Sequence, residues 1–233
     1  MSTAFLRSWL RLLALASAPA MAAHAAAAEA APTPTIRAMS GATPATQLDA
    51  RSTALLVIDF QNEYFSGRMP IAGGPAALAR TQQLLAWADA AKLPVFQVQH
   101  VAPAGSALFA LDGKTAQFHP GALPRPQDQV LQKTTVSVFA STDLDRRLKA
   151  AGIKTVVIAG LMTHACVAGA ARDAAPLGYQ VLVASDASAT RSIVRADGSA
   201  VDQDSLHRAA LAEIEDTFGD VMTTAQILAL PLR

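Results

Sequence analysis

Residues 53–60, TALLVIDF, are an almost unbroken apolar run that closes on Asp59, the pattern of a strand buried on both faces. The next segment, GGPAALARTQQLLAWADAAKL, changes period. Leu78, Leu84, Leu85 and Trp87 recur at roughly helical spacing, and Gly73 and Gly74 mark the start of the predicted helix. PVFQVQH (94–100) predicts a second strand and QVLQKTT (129–135) a third that ends near Lys133. Between them, 101–127 holds four prolines and three glycines and is expected as a long mobile loop. STDLDRRLKAAG (141–152) predicts a helix capped at Ser141 or Thr142 and stopped at Gly152. KTVVIAG (154–160) is a fourth strand, and the segment around Cys166 leads into a helix running to Leu177 and closed by Gly178. YQVLVASDA (179–187) is a fifth strand; a helix over 203–218 and a short strand, DVMTT, finish the chain.

Strands alternating with helices predict an α/β fold, a doubly wound and mostly parallel sheet with helices on both faces. Ligands of such sheets bind beyond the carboxyl ends of the strands. That edge collects three chemically distinct groups: Asp59 ends the first strand, Lys133 lies late in the third, and Cys166 follows the fourth.

The N-terminus changes where the domain begins. Arg7 and Arg11 precede an apolar core from Leu12, and AHA at 23–25 fits the small-x-small pattern of a cleavage site, so 1–25 is expected as a signal peptide. The apolar core spans about a dozen residues, short of the ~20 a membrane span needs. Residues 26–50, rich in Ala, Pro and Thr, are expected as a flexible lead-in, leaving 51–233 as one domain. Two of the 19 lysines and arginines lie within 1–25, which leaves 17 against 18 acidic residues. A near-neutral chain without a basic run argues against a nucleic-acid partner.

Cys166 is the single cysteine, so it cannot form an internal disulfide. A thiol is nucleophilic as thiolate, and a helix N-terminus or a neighbouring Lys lowers its pKa from about 8.5. A carboxylate beside it takes the thiol proton and returns it to a leaving amine. Cys166, Asp59 and Lys133 thus form a set suited to acyl transfer: nucleophile, acid/base and positioning cation. Lys133 is expected to serve this site more than the packing, so its replacement should leave the fold nearly intact.

LLVIDFQNEYF, LQKTTVSVFASTDLDRRLKAAGIKTVVIAGLMTHACV and LGYQVLVASDASAT resemble the isochorismatase-like cysteine hydrolases, from about Thr53 to Leu228. The order Asp, Lys and then G-x-x-T-x-x-C-V carries the resemblance. It implies a Rossmann-like three-layer sandwich, Cys166 as nucleophile, Asp59 as acid/base and Lys133 as orienting cation. It also implies a cis peptide at Leu161–Met162, whose turned N–H joins that of Cys166 in an oxyanion hole. Tyr64 matches a position lining the substrate pocket, and His119 and His164 are candidate substrate contacts. The cysteine points to C–N hydrolysis rather than to vinyl-ether cleavage. The family's nicotinamidases hold a metal through a D-x-H pattern after the second strand; VQHVAPAGS offers His100 alone, so no metal and no cofactor are expected. FHP at 118–120 is similar to the amidohydrolase branch that includes streptothricin hydrolases.

The reading is therefore an exported, periplasmic or secreted hydrolase of a small amide, acting through a thioester and assembling as a homo-oligomer. Three alternatives stand beside it: an isochorismatase-type ether hydrolase, a redox thiol protein, and a non-catalytic periplasmic binding domain. Asp186 is expected to cap or turn the chain, and Arg191 and Arg195 either bind a carboxylate or face solvent.

Overall fold

The computed structural model describes residues 31–233, beginning with helix α1 (Ile36–Met39), strand β1 (Thr53–Ile58), helix α2 (Gly74–Ala90) and strands β2 (Val95–His100) and β3 (Gln129–Lys133). Helices α3 (Val138–Ser141) and α4 (Leu144–Ala150), strand β4 (Thr155–Leu161), helix α5 (Ala168–Ala174) and strand β5 (Gln180–Ala189) follow. A hairpin, β6 (Ile193–Val194) with β7 (Ala200–Val201), leads to helix α6 (Gln203–Thr217), strand β8 (Asp220–Met222) and helix α7 (Thr224–Ala229). Six strands form one parallel sheet in the order β3-β2-β1-β4-β5-β8. The expected signal segment lies outside the described residues.

Every residue of β1 is buried, because alternate side chains enter two different cores. Leu55 and Val57 pack with Leu84, Leu85 and Ala88 of α2 and Ile227 of α7. Ala54, Leu56 and Ile58 pack with Leu144 and Leu148 of α4, Ala168, Ala171 and Ala174 of α5, and Ile214 of α6. β1 is thus the axis of a three-layer sandwich. The chain leaves it in opposite directions, to β2 on one side and to β4 on the other, which puts the topological switch point between β1 and β4. Asp59 ends one of those strands and Cys166 follows the other.

Gly160 permits that close approach. It pairs with Ile58 at φ 152°, and an added Cβ would lie 2.4 Å from the Ile58 carbonyl oxygen.

Several elements differ from the expectation. From Pro34 onward the lead-in belongs to the same compact unit as the sheet. Arg37 pairs with the buried Asp220 at 2.7 Å, the Ala45 N–H donates to its other oxygen, and Leu48 exchanges backbone hydrogen bonds with Pro231 and Arg233. These are contacts between the two ends of the chain, which local composition cannot reveal. The helix expected over 141–152 is α4, whose Leu144 N–H bonds the Thr142 hydroxyl; the short α3 before it was not expected. Asp186 accepts from the backbone N–H and hydroxyl of Thr224 and so secures the start of α7.

Candidate active site

Asp59 leaves β1 at φ 55°, a left-handed conformation that Asp adopts more readily than most residues. The Gln61 N–H bonds back to the Asp59 carbonyl at 2.8 Å, fixing the turn. Lys133 ends β3, two strands away, and its side chain crosses the carboxyl edge of β2 to reach the centre of the sheet. There its Nζ lies 2.8 Å from Asp59 Oδ2 and 3.3 Å from Cys166 Sγ. Asp59 and Lys133 are closed to solvent and Cys166 is 5% exposed. The structure therefore brings together the three groups that sequence reasoning placed on one edge.

Cys166 does not open an α-helix. Thr163–Val167 form a single, wider π turn, with the Val167 N–H bonded to the Met162 carbonyl, and α5 begins only at Ala168. Wide turns of this kind recur at functional sites. The Leu161–Met162 peptide immediately before it is cis.

The electrostatics also differ from the expectation. The Cys166 pKa is not lowered but pushed up to about 12, first by burial and then by the Asp59 charge, which together outweigh Lys133. Burial likewise raises Asp59, against the opposing pull of Lys133. Burial therefore favours the protonated thiol at rest, and the Asp59 carboxyl group and the sulfur meet at the shared Lys133 ammonium.

The sequence suggests His100, at the end of β2, only as an incomplete metal ligand, yet its Nδ1 lies 2.8 Å from Lys133 Nζ. Burial and the Lys133 charge push its pKa down to about 4, so the ring is neutral. Gln61 went unnoticed in the sequence: it holds the His100 backbone at both N–H and C=O, each at 2.8 Å. Among the described residues, no group of three or more His, Cys, Asp or Glu is arranged to hold a metal ion.

The remaining candidates form the surroundings. Tyr64 is buried with its ring edge-on to Phe109, and Phe109 in turn packs on the His100 ring. His164 bonds the Thr190 hydroxyl through Nδ1, and Thr163 bonds Nδ1 of His207, a residue of α6. His119 is engaged elsewhere: its ring stacks on Phe65 and its Nδ1 accepts from the Gly121 N–H. The Gln117 carbonyl and the His119 N–H bond the chain after Asp59, so this part of the 101–127 loop is tied down.

The two arginines after β5 separate. Arg195 pairs with Asp197. Arg191 has no acidic partner among the described residues, and its Nε is buried without a hydrogen bond. It directly follows Thr190, whose hydroxyl bonds His164, two residues before Cys166.

Residues 53–226 match the Isochorismatase domain family. The chain is 35% identical over 191 residues to the secreted isochorismatase effector Isc1 of Verticillium dahliae, covering 82% of this chain and 97% of that one. It is 36% identical over 140 residues to a streptothricin hydrolase of Streptomyces noursei, covering 60% of this chain and 50% of that one. The ureidoacrylate amidohydrolase RutB of Methylobacterium radiotolerans is 30% identical, with 80% and 83% covered. An isochorismatase of Pseudomonas putida KT2440 superposes with a TM-score of 0.77 at 30% identity, covering 84% of this chain and 99% of that one. With its parallel sheet, its switch point and this match over most of its length, the chain belongs to the isochorismatase family of hydrolases.

Proposed function

We propose that the protein hydrolyses a small amide or related C–N bond through a thioester on Cys166. The observation that carries this reading is the buried cluster in which Lys133 Nζ lies 2.8 Å from Asp59 and 3.3 Å from the Cys166 sulfur. The Cys166 proton passes to Asp59 as the sulfur attacks the carbonyl carbon. Backbone N–H groups of Met162 and Cys166 receive the developing oxyanion. Asp59 then gives its proton to the departing nitrogen, leaving a thioester. Water yields a proton to Asp59 and attacks the thioester carbon, and the sulfur leaves as the proton returns to it, releasing the acid. A thiol that is protonated at rest suits this sequence, because the amine needs that proton in order to depart. No second cysteine is present to resolve an oxidised sulfur, which disfavours a redox role. The RutB and streptothricin hydrolase relatives favour C–N over ether cleavage.

Arg191, which has no acidic partner among the described residues, is read as the anchor for a carboxylate on the substrate. Secretion is supported by the N-terminal pattern and by the similarity to the secreted effector Isc1. The test is a screen for ammonia release across neutral and carboxylate-bearing amides with wild type, Cys166→Ala and Arg191→Met. Wild type should turn over at least one amide and Cys166→Ala none. Arg191→Met should raise KM about 100-fold for acidic amides only. No ammonia from any amide, with hydrolysis of a vinyl ether instead, would overturn the reading.

A further inference from the structure

Lys133 belongs to β3 and Asp59 to β1, and β2 lies between them. Adjacent strands are about 4.8 Å apart, so the lysine must bridge roughly 10 Å of sheet edge. A long, flexible side chain does not hold one end-point over that span without support. The residue of β2 level with Lys133 is His100, its register partner, so both side chains leave the same face. We propose that His100 is a positioning residue of the catalytic centre: its Nδ1 accepts a proton of the Lys133 ammonium and holds that cation between Asp59 and Cys166.

The hydrogen-bond inventory supports this. The ammonium has three protons. It stands 2.8 Å from Asp59 Oδ2, 2.8 Å from His100 Nδ1, 3.2 Å from the Thr135 carbonyl and 3.3 Å from Cys166 Sγ. In the proposed hydrolysis, on which this inference rests, Asp59 and Cys166 exchange a proton, so their hold on the lysine changes from step to step. His100 and Thr135 do not take part in that exchange and keep two of the three protons directed. With Nδ1 accepting, the ring proton sits on Nε2, and a second proton on the ring would abolish the contact. The ring itself is held in place. Gln61, two residues after Asp59, bonds both backbone groups of His100, and Phe109 packs on the ring at a centroid distance of 4.8 Å. The turn that carries the acid/base thus also fixes the residue that directs the cation.

His100→Leu removes the acceptor, whereas His100→Asn keeps an oxygen at the Nδ1 position. The test compares the two by the pH profile of Cys166 alkylation with iodoacetamide, which needs no substrate, and by kcat and KM on the best amide. We expect His100→Leu to shift the alkylation profile upward by about one pH unit and cut kcat at least about tenfold with little change in KM. His100→Asn should restore both to within about threefold. The proposal fails if His100→Leu keeps the wild-type profile, or if His100→Asn, folded, is as impaired as His100→Leu.

Discussion

Replacing Lys133 by Met is the perturbation that most exposes the electrostatics of the site. Sequence reasoning expects the fold to survive this change nearly intact, but Lys133 is fully buried and shares that burial with Asp59. At 2.8 Å and an effective dielectric of about 20, their attraction is ~6 kcal/mol. Without the lysine, Asp59 has a less costly course than remaining charged in the interior: it takes up a proton. At about pH 7 that costs roughly 4 kcal/mol for a carboxyl whose unfolded pKa is about 3.9. The folded pKa of Asp59 in the variant then lies well above the unfolded one. Its stabilising contribution is therefore fully present below about pH 4 and is lost as pH rises towards the folded pKa, by ~1.4 kcal/mol per unit. The assay is urea denaturation from about pH 5 to 8 on Lys133→Met and on the double variant with Asp59→Asn. Both lack the lysine, so the difference between them isolates Asp59. We expect the double variant to be the more stable by an amount that grows with pH at that slope. A difference independent of pH would show that Asp59 is not the group the lysine holds ionised.

Gly160→Ala should destabilise the protein by about 3 kcal/mol and abolish activity, because its Cβ would meet Ile58 backbone at the switch point; urea melts and turnover check this. His100, His164 and His207 all have pKa values lowered chiefly by burial, so their contribution to stability is present above about pH 6.5 and lost as pH falls, for His100 towards about 4. His100→Asn should therefore flatten the acid side of the stability profile by ~1–2 kcal/mol, a figure reduced for its half-exposed ring, and an unchanged profile would contradict this. Asp220→Asn should loosen the Arg37 and Ala45 contacts and raise hydrogen exchange in 36–48 while leaving the β1 amides protected.

The strands were legible because β1 and β4 are continuous apolar runs, and the burial of their residues explains why. Asp59, Lys133 and Cys166 were legible because topology alone assigns strand ends to one edge. What failed depended on contacts distant in sequence. His100 and Lys133 are 33 residues apart, and nothing in VQHVAPAGS indicates that its histidine accepts from a lysine. The clasp of Arg37 on Asp220 spans 183 residues, so an Ala- and Pro-rich segment looked unattached. The sign of the Cys166 shift was misjudged because a sequence shows the cation and the apparent helix start but not the depth of burial, which is the largest influence. Arg191 and Arg195 look alike in the chain, and only the placement of Asp197 separates them.

The proposed mechanism requires that Cys166 become covalently acylated in the course of hydrolysis. Acid-quenched intact-mass spectrometry of wild type and Cys166→Ala during turnover of the best amide tests it most directly. A thioester on Cys166 should give a wild-type adduct equal in mass to the acyl half of the substrate, mapped to the peptide containing Cys166 and absent from Cys166→Ala. Turnover by Cys166→Ala at the wild-type rate, with no adduct on either protein, would contradict it.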